Sequence, residues 1–281
     1  MNEFLNMENI SDVNSEKTEI IEHNVFRISD YLAVNEMIQE YKNNFNEAVE
    51  NSSETIENLK ERILENISDY YFDIQDLYLN EDKTAIEFPK MAQLDEGITE
   101  NRDFGLERCT EAALEIFNPG VINEWKNMTA EEKMNIAYAY AEEVAKAFEL
   151  ENYSGLIIEP MDANTGGYNL GDGYIHLNDL LFNETVSPLQ ILDTITHELR
   201  HQYQSECIAG YHDVSDEVRN EWSLANDIYG YDYPSAYDPW GYQYNPLEID
   251  SRYAGETVVR NVTSQMINDA INLTNAMNFN A

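Results

Sequence analysis

Cysteine, histidine and basic side chains are all scarce in this chain of 281 residues, and each shortage removes a class of protein. The two cysteines, Cys109 and Cys207, belong to no CxxC pair, so neither a disulfide framework nor a structural cysteine–zinc site is expected. Lys and Arg together number 16 against 54 Asp and Glu, a formal charge of −38. Such a field repels nucleic-acid phosphate and anionic membrane surfaces and attracts basic peptides, while its plainest reading is a well-solvated surface. No run approaches the roughly 18 uninterrupted apolar residues that a membrane span requires. Residues 1–15 are acidic and Asn-rich, without a basic or an apolar leader region, so a standard signal peptide is not expected. Cytoplasmic residence is the default expectation, with export that needs no cleavable signal as the alternative. No GxxxxGK run followed by Ser or Thr is present, which argues against a phosphate-cradling loop, and no internal repeat is evident.

What is present is enough apolar material, 43% of residues, to bury a sizeable core as one large domain or a domain with a smaller appendage. Residues 1–28 read as a polar lead-in. Apolar positions then recur at spacings of three and four from Leu32 to Val49 and from Ile56 to Leu77, which predicts a helical hairpin within a mainly helical region 29–99. Thr84 to Phe88 reads as a short strand and Leu94 to Thr99 as a loop, a soft boundary before a domain spanning 100–281. Residues 102–117 read as a helix stopped by Asn118-Pro119-Gly120. Thr129 and Glu132 form a capping box that opens the next helix, through Phe148. Gly155 to Glu159 and Tyr174 to Asn178 read as strands, the passage through Gly166, Gly167, Gly171 and Gly173 as tight turns, and Tyr174 to Asn178 as a sheet edge open to an extended peptide. The tyrosine-rich run 229–244 reads as an ordered loop, and a last helix begins at Asn245-Pro246.

The chemistry concentrates in His197-Glu198-Leu199-Arg200-His201, an HExxH pattern in a chain with only five histidines. Ser187, Pro188 and Gln190 supply a helix start just upstream, a capping box with proline at the first helical position. Leu192, Ile195 and Leu199 then form an apolar stripe. His197 and His201 lie one turn apart, roughly 170° around from that stripe, so both rings can reach one metal ion while the other face packs. Glu198 sits beside them as a candidate general base. Asp193, one turn earlier, is a candidate orienting partner for His197 or else an exposed helical carboxylate, and Arg200 is expected in a structural ion pair.

A catalytic zinc takes three protein ligands and keeps one position open, so a third ligand is needed. Cys207 stands where the metzincin pattern has a histidine, but Gln204 replaces the glycine that pattern requires. His212, Glu206, Glu217 and Glu221 fit on spacing alone. Glu248, in the first turn of the last helix, is preferred, although with Asn245 it also completes a capping box that would turn its carboxylate to its own helix end. Asp250 is the second choice from the same stretch, either as a ligand or as an acceptor for a histidine N–H.

His197-Glu198-Leu199-Arg200-His201-Gln202-Tyr203-Gln204, followed by Asn245-Pro246-Leu247-Glu248-Ile249-Asp250-Ser251-Arg252, resembles the HExxH zincin metallopeptidases with glutamate as third ligand. In particular it is similar to compact bacterial and phage-associated gluzincin-like members with the signature HExRHxxQ … NPxExDAR. The likeness spans roughly residues 120–265 and departs at Ser251, where that signature has alanine; the NExxSD motif of thermolysin-like members is absent. The resemblance implies an α+β fold with a small twisted sheet beside an active-site helix and a C-terminal helical part. It further implies a Zn2+ cofactor on His197, His201 and Glu248, and hydrolysis of peptide bonds with Glu198 as base. Tyr244 is the first candidate for a second oxyanion donor, with Tyr242 and His176 as alternatives. The expected partner is a peptide or protein, with basic sequences favoured by charge, in an effector-like, toxin-like or phage-associated protease. The competing expectation is a non-catalytic acidic interaction protein, either a charge mimic or one whose zinc is purely structural.

Overall fold

The computed structural model describes residues 28–78, 101–163, 165–169, 171–229 and 245–280. The expected lead-in, the strand at 84–88, the loop near 94–99 and nearly all of the tyrosine-rich run, with Tyr242 and Tyr244, lie outside the described residues. The fold is α+β and mostly helical, with one small mixed sheet.

The hairpin forms as its periodicity predicts, from α1 (Ile28–Asn51) and α2 (Ser53–Tyr78). Its apolar positions Val34, Ile38, Phe45, Leu59, Ile63 and Tyr70 belong to the same buried cluster as Ile195 and Leu199. Polar contacts fasten it as well. Ser187 Oγ donates to the Asn66 carbonyl at 3.1 Å, and Asn118 Nδ2 donates to the Ile38 carbonyl at 3.4 Å.

Next come α3 (Leu106–Ile116), α4 (Pro119–Glu124) and α5 (Ala130–Ala147). The Asn118-Pro119-Gly120 stop does end α3, but it also starts α4. Asn118 Oδ1 accepts from the Gly120 and Val121 amides, and proline occupies a position whose missing N–H costs nothing. The Thr129–Glu132 capping box forms as expected.

The sheet contains β1 (Gly155–Glu159), β2 (Gly167–Asn169) and β3 (Tyr174–Asn178) in the order β1-β3-β2, with β1 parallel and β2 antiparallel to β3. This corrects two expectations. The stretch Tyr174–Asn178 is the central strand and not an edge, because the supposed turn residues Gly167 to Asn169 pair with it. A three-residue strand opening on glycine has too few side chains to show a period of two. The positive-φ Gly171 (70°) and Gly173 (89°) supply the turn between β2 and β3.

Helix α6 (Pro188–Ala209) carries the HExxH run beneath this sheet. Ser187 caps it by accepting from the Leu189 amide at 3.2 Å. The reciprocal half of the expected capping box is not made: the Gln190 Oε1 has no hydrogen-bond partner. After α7 (Asp216–Tyr229), helix α8 (Pro246–Asn280) packs along α6. Leu192, Ile195 and Leu199 are fully buried as the stripe predicts, but the opposite face is also covered, with His201 at 4% and Glu198 at 7% exposure. No helix among the described residues is long and apolar enough to cross a membrane.

Candidate metal centre

Two helices build the site. From α6, His197 and His201 project one turn apart. From α8, Glu248 reaches both, its Oε2 lying 3.4 Å from His197 Nε2 and its Oε1 3.3 Å from His201 Nε2. The two Nε2 atoms are 3.1 Å apart. Zinc bonds of about 2.0–2.1 Å to tetrahedral ligands place ligand atoms about 3.3–3.4 Å from one another. The separation of the two rings and the closest approach of each to the carboxylate lie near that spacing, with the rings facing different oxygens of Glu248. Among the described residues this is the one group of three or more His, Cys, Asp and Glu side chains close enough to share a metal ion.

Without a cation the arrangement is hard to account for. Glu248 Oε2 is buried without a hydrogen bond, and two imidazole nitrogens point at each other. Burial by itself would raise the Glu248 carboxyl, but the adjacent His201 and His197 hold it well below the usual carboxylate range. Burial likewise opposes protonation of His201, yet the Glu248 carboxylate prevails and pushes that ring up to about 9. The cluster therefore has the field of a cation site. The expected competition for Glu248 resolves toward the rings: Asn245 Oδ1 caps α8 on its own, accepting from the Leu247 amide at 3.0 Å.

Asp250, the second choice, is not a ligand. Its carboxylate accepts two bonds from the Arg200 guanidinium, Nε to Oδ2 at 2.7 Å and Nη2 to Oδ1 at 3.1 Å, and both residues are fully buried. This is the structural ion pair expected of Arg200, with the acid now identified. Glu206 is also occupied. It accepts from the Glu151 and Asn152 amides, from Gln202 and from His212, tying the turn before β1 to α6. Cys207 is buried and its thiol is pushed up to about 12, far from a metal-binding thiolate. Glu217 is exposed on α7, and neither it nor Glu221 joins the cluster.

Glu198 lies against the edge strand: a Cβ on Gly167 would come within 3.2 Å of its Cγ and 2.7 Å of the His176 carbonyl. Glycine is required there for the strand to approach the helix. Burial raises the Glu198 carboxyl above its ordinary value, with His197 and His201 pulling the other way. His176 takes a different position. It projects from the sheet face opposite Gly167 and Asn169, stacks on Tyr168 at 4.6 Å, and bonds Glu159 through Nδ1 at 2.8 Å. Its partners are thus Tyr168 and Glu159.

No family model matches this chain, and neither a curated protein nor a solved structure matches it. The site stands on its own geometry.

One turn before His197, Asp193 was legible in the sequence as a candidate partner, but its neighbours from α2 and α8 were not. Asp193 is not an exposed helical carboxylate. Its Oδ1 is buried, the Tyr70 side chain of α2 lies beside it, and burial pushes its pKa up to about 6. Gly255 of α8 makes room for it, since a Cβ there would sit 1.9 Å from Oδ1. Glu256 on α8 is pushed up to about 7, first by burial and then by Asp193. Its pKa is higher in the folded chain than in the unfolded one, so stability is lost as pH rises from about 4.5 to about 7. Glu256→Gln is accordingly expected to raise the unfolding free energy of chelator-treated protein at pH 8, read from urea titration, by on the order of 1–3 kcal/mol, and to change it little at pH 4. Equal midpoints at pH 8 would remove the penalty assigned to this carboxylate.

Proposed function

We propose that the protein is a zinc-dependent peptidase of zincin type in which His197, His201 and Glu248 hold the metal. The observation that carries this reading is the set of three separations, 3.1, 3.3 and 3.4 Å, among two imidazoles one turn apart and a carboxylate from a second helix. Three protein ligands leave one position free, which suits catalysis better than a closed structural site. When bound, the ion supplies a Lewis acid and lowers the pKa of a coordinated water toward about 7.

The chain's own residues do the rest. Glu198 follows His197 directly and, buried with a raised pKa, is suited to accept a proton from a water and return it to a leaving amine at neutral pH. Among the described residues the outer edge of β2 is unpaired and offers main-chain hydrogen bonds to an extended peptide, the role the sequence suggests for Tyr174–Asn178. A net charge of −38 favours basic peptides at the encounter step.

The test is metal content paired with cleavage of an unstructured protein substrate. One equivalent of zinc per chain is expected, and a chelator should remove both zinc and activity, with zinc alone restoring them. A chain that takes up no zinc, or cleaves equally well after stripping, overturns the proposal.

A further inference from the structure

Resting on the metal site proposed above, we infer that Gln204 is a positioning residue that sets the tautomer of His201, and that the buried Arg200–Asp250 pair determines which way Gln204 faces. The reasoning starts from what each neighbour of Gln204 can do. Its Nε2 lies 2.9 Å from the Leu247 carbonyl and 2.8 Å from Asp250 Oδ2. A carbonyl is only an acceptor, and so is a carboxylate bound to a guanidinium by two hydrogen bonds. Both must therefore face the amide nitrogen, whose two hydrogens they consume.

This leaves the Gln204 Oε1 pointing at His201 Nδ1, 3.0 Å away. An amide oxygen can only accept, so Nδ1 must carry the proton. In the neutral ring, the form that binds a metal, Nε2 is then the nitrogen with the lone pair, and it is Nε2 that faces Glu248 and His197. Flipping the amide would turn its oxygen onto two acceptors at once inside a fully buried site, at a cost of several unmade hydrogen bonds. Ser251 Oγ, 3.2 Å from both His201 Nδ1 and Gln204 Nε2, either donates or accepts and so imposes neither tautomer.

The orientation originates further out. Arg200 spends its guanidinium on Asp250 and on the Asn101 and Phe104 carbonyls, which holds Asp250 as a fixed acceptor for Gln204. Arg200, His201, Gln204, Asp250 and Ser251 form one buried relay in which only His201 would touch the metal. Such partners orient a ligating imidazole and strengthen its binding by about 10–100-fold.

The test uses the full-length, zinc-loaded chain. Nitrogen-15 NMR of the wild type is expected to show His201 with a slowly exchanging proton on Nδ1 and none on Nε2. Gln204→Met, which retains length but offers no acceptor, is expected to bind zinc about 10–100-fold more weakly in chelator competition and to lose protection of that proton. A wild-type ring bound through Nδ1, or carrying a freely exchanging Nδ1 proton, overturns the inference even if the variant does not fold. So does a folded Gln204→Met with unchanged zinc affinity. A wild type that takes up no zinc overturns the metal site and this inference together, and the two failures are thereby distinguished.

Discussion

Glu198→Gln is expected to retain about one zinc per chain while peptide hydrolysis falls by roughly 100- to 10,000-fold, the usual worth of a positioned general base. The substitution keeps the shape of a side chain pressed against the Gly167 strand and removes only its capacity to take a proton. Burial already penalises the Glu198 charge, so the amide is expected to leave thermal stability equal or slightly raised. Metal analysis and turnover on the same preparation check the result. Normal turnover with zinc in place would take Glu198 out of the mechanism, whereas loss of both zinc and turnover would make it a structural residue.

Asp250→Ala is expected to destabilise the fold by about 3–5 kcal/mol, the range for breaking a buried ion pair by removing one partner. Arg200 would then be a fully buried guanidinium ringed by Tyr203, Phe148 and Trp222, without its counter-ion. The Gln204 amide would also lose one of its two short acceptors. Replacing both partners by apolar residues, Arg200→Met with Asp250→Leu, is expected to recover a large part of the loss, since burying neither charge removes the desolvation cost. Urea midpoints of the single and double variants decide the matter. A single variant as stable as the wild type would mean that water reaches Arg200.

The contrast between Glu248 and Asp250 shows where sequence reasoning reached its limit. Both acids lie in the first turns of one helix, two residues apart, and both are plausible ligands by distance along the chain. On a helix two residues apart means roughly 200° of rotation, so they face different neighbours. Only the placement of α8 against α6 assigns Glu248 to the two rings and Asp250 to Arg200. The edge strand was missed for a related reason: β2 is recognisable only by its pairing with His176 and Leu177.

Gln204 shows the same limit within a motif. In the sequence it stood as a departure from the metzincin glycine and as the last residue of the HExRHxxQ pattern, with no role attached to it. Its partners, the Leu247 carbonyl and Asp250, are more than 40 positions away, and they assemble only when two helices pack. Tyr70 and Asp193 come together over a still longer separation.

Local interactions, by contrast, were legible. The capped start of α6 and the histidine pair one turn apart depend on residues within a few positions of each other, as do the Thr129–Glu132 box and the hairpin periodicity. Short-range hydrogen bonding and a helical period of 3.6 determine them whatever the rest of the chain does. The sequence by itself determined that two imidazoles would share a helix face beside a carboxylate. The tertiary structure alone decided which distant acid meets them, which acid neutralises the buried arginine and which strand is left open, because those outcomes depend on how separate elements dock.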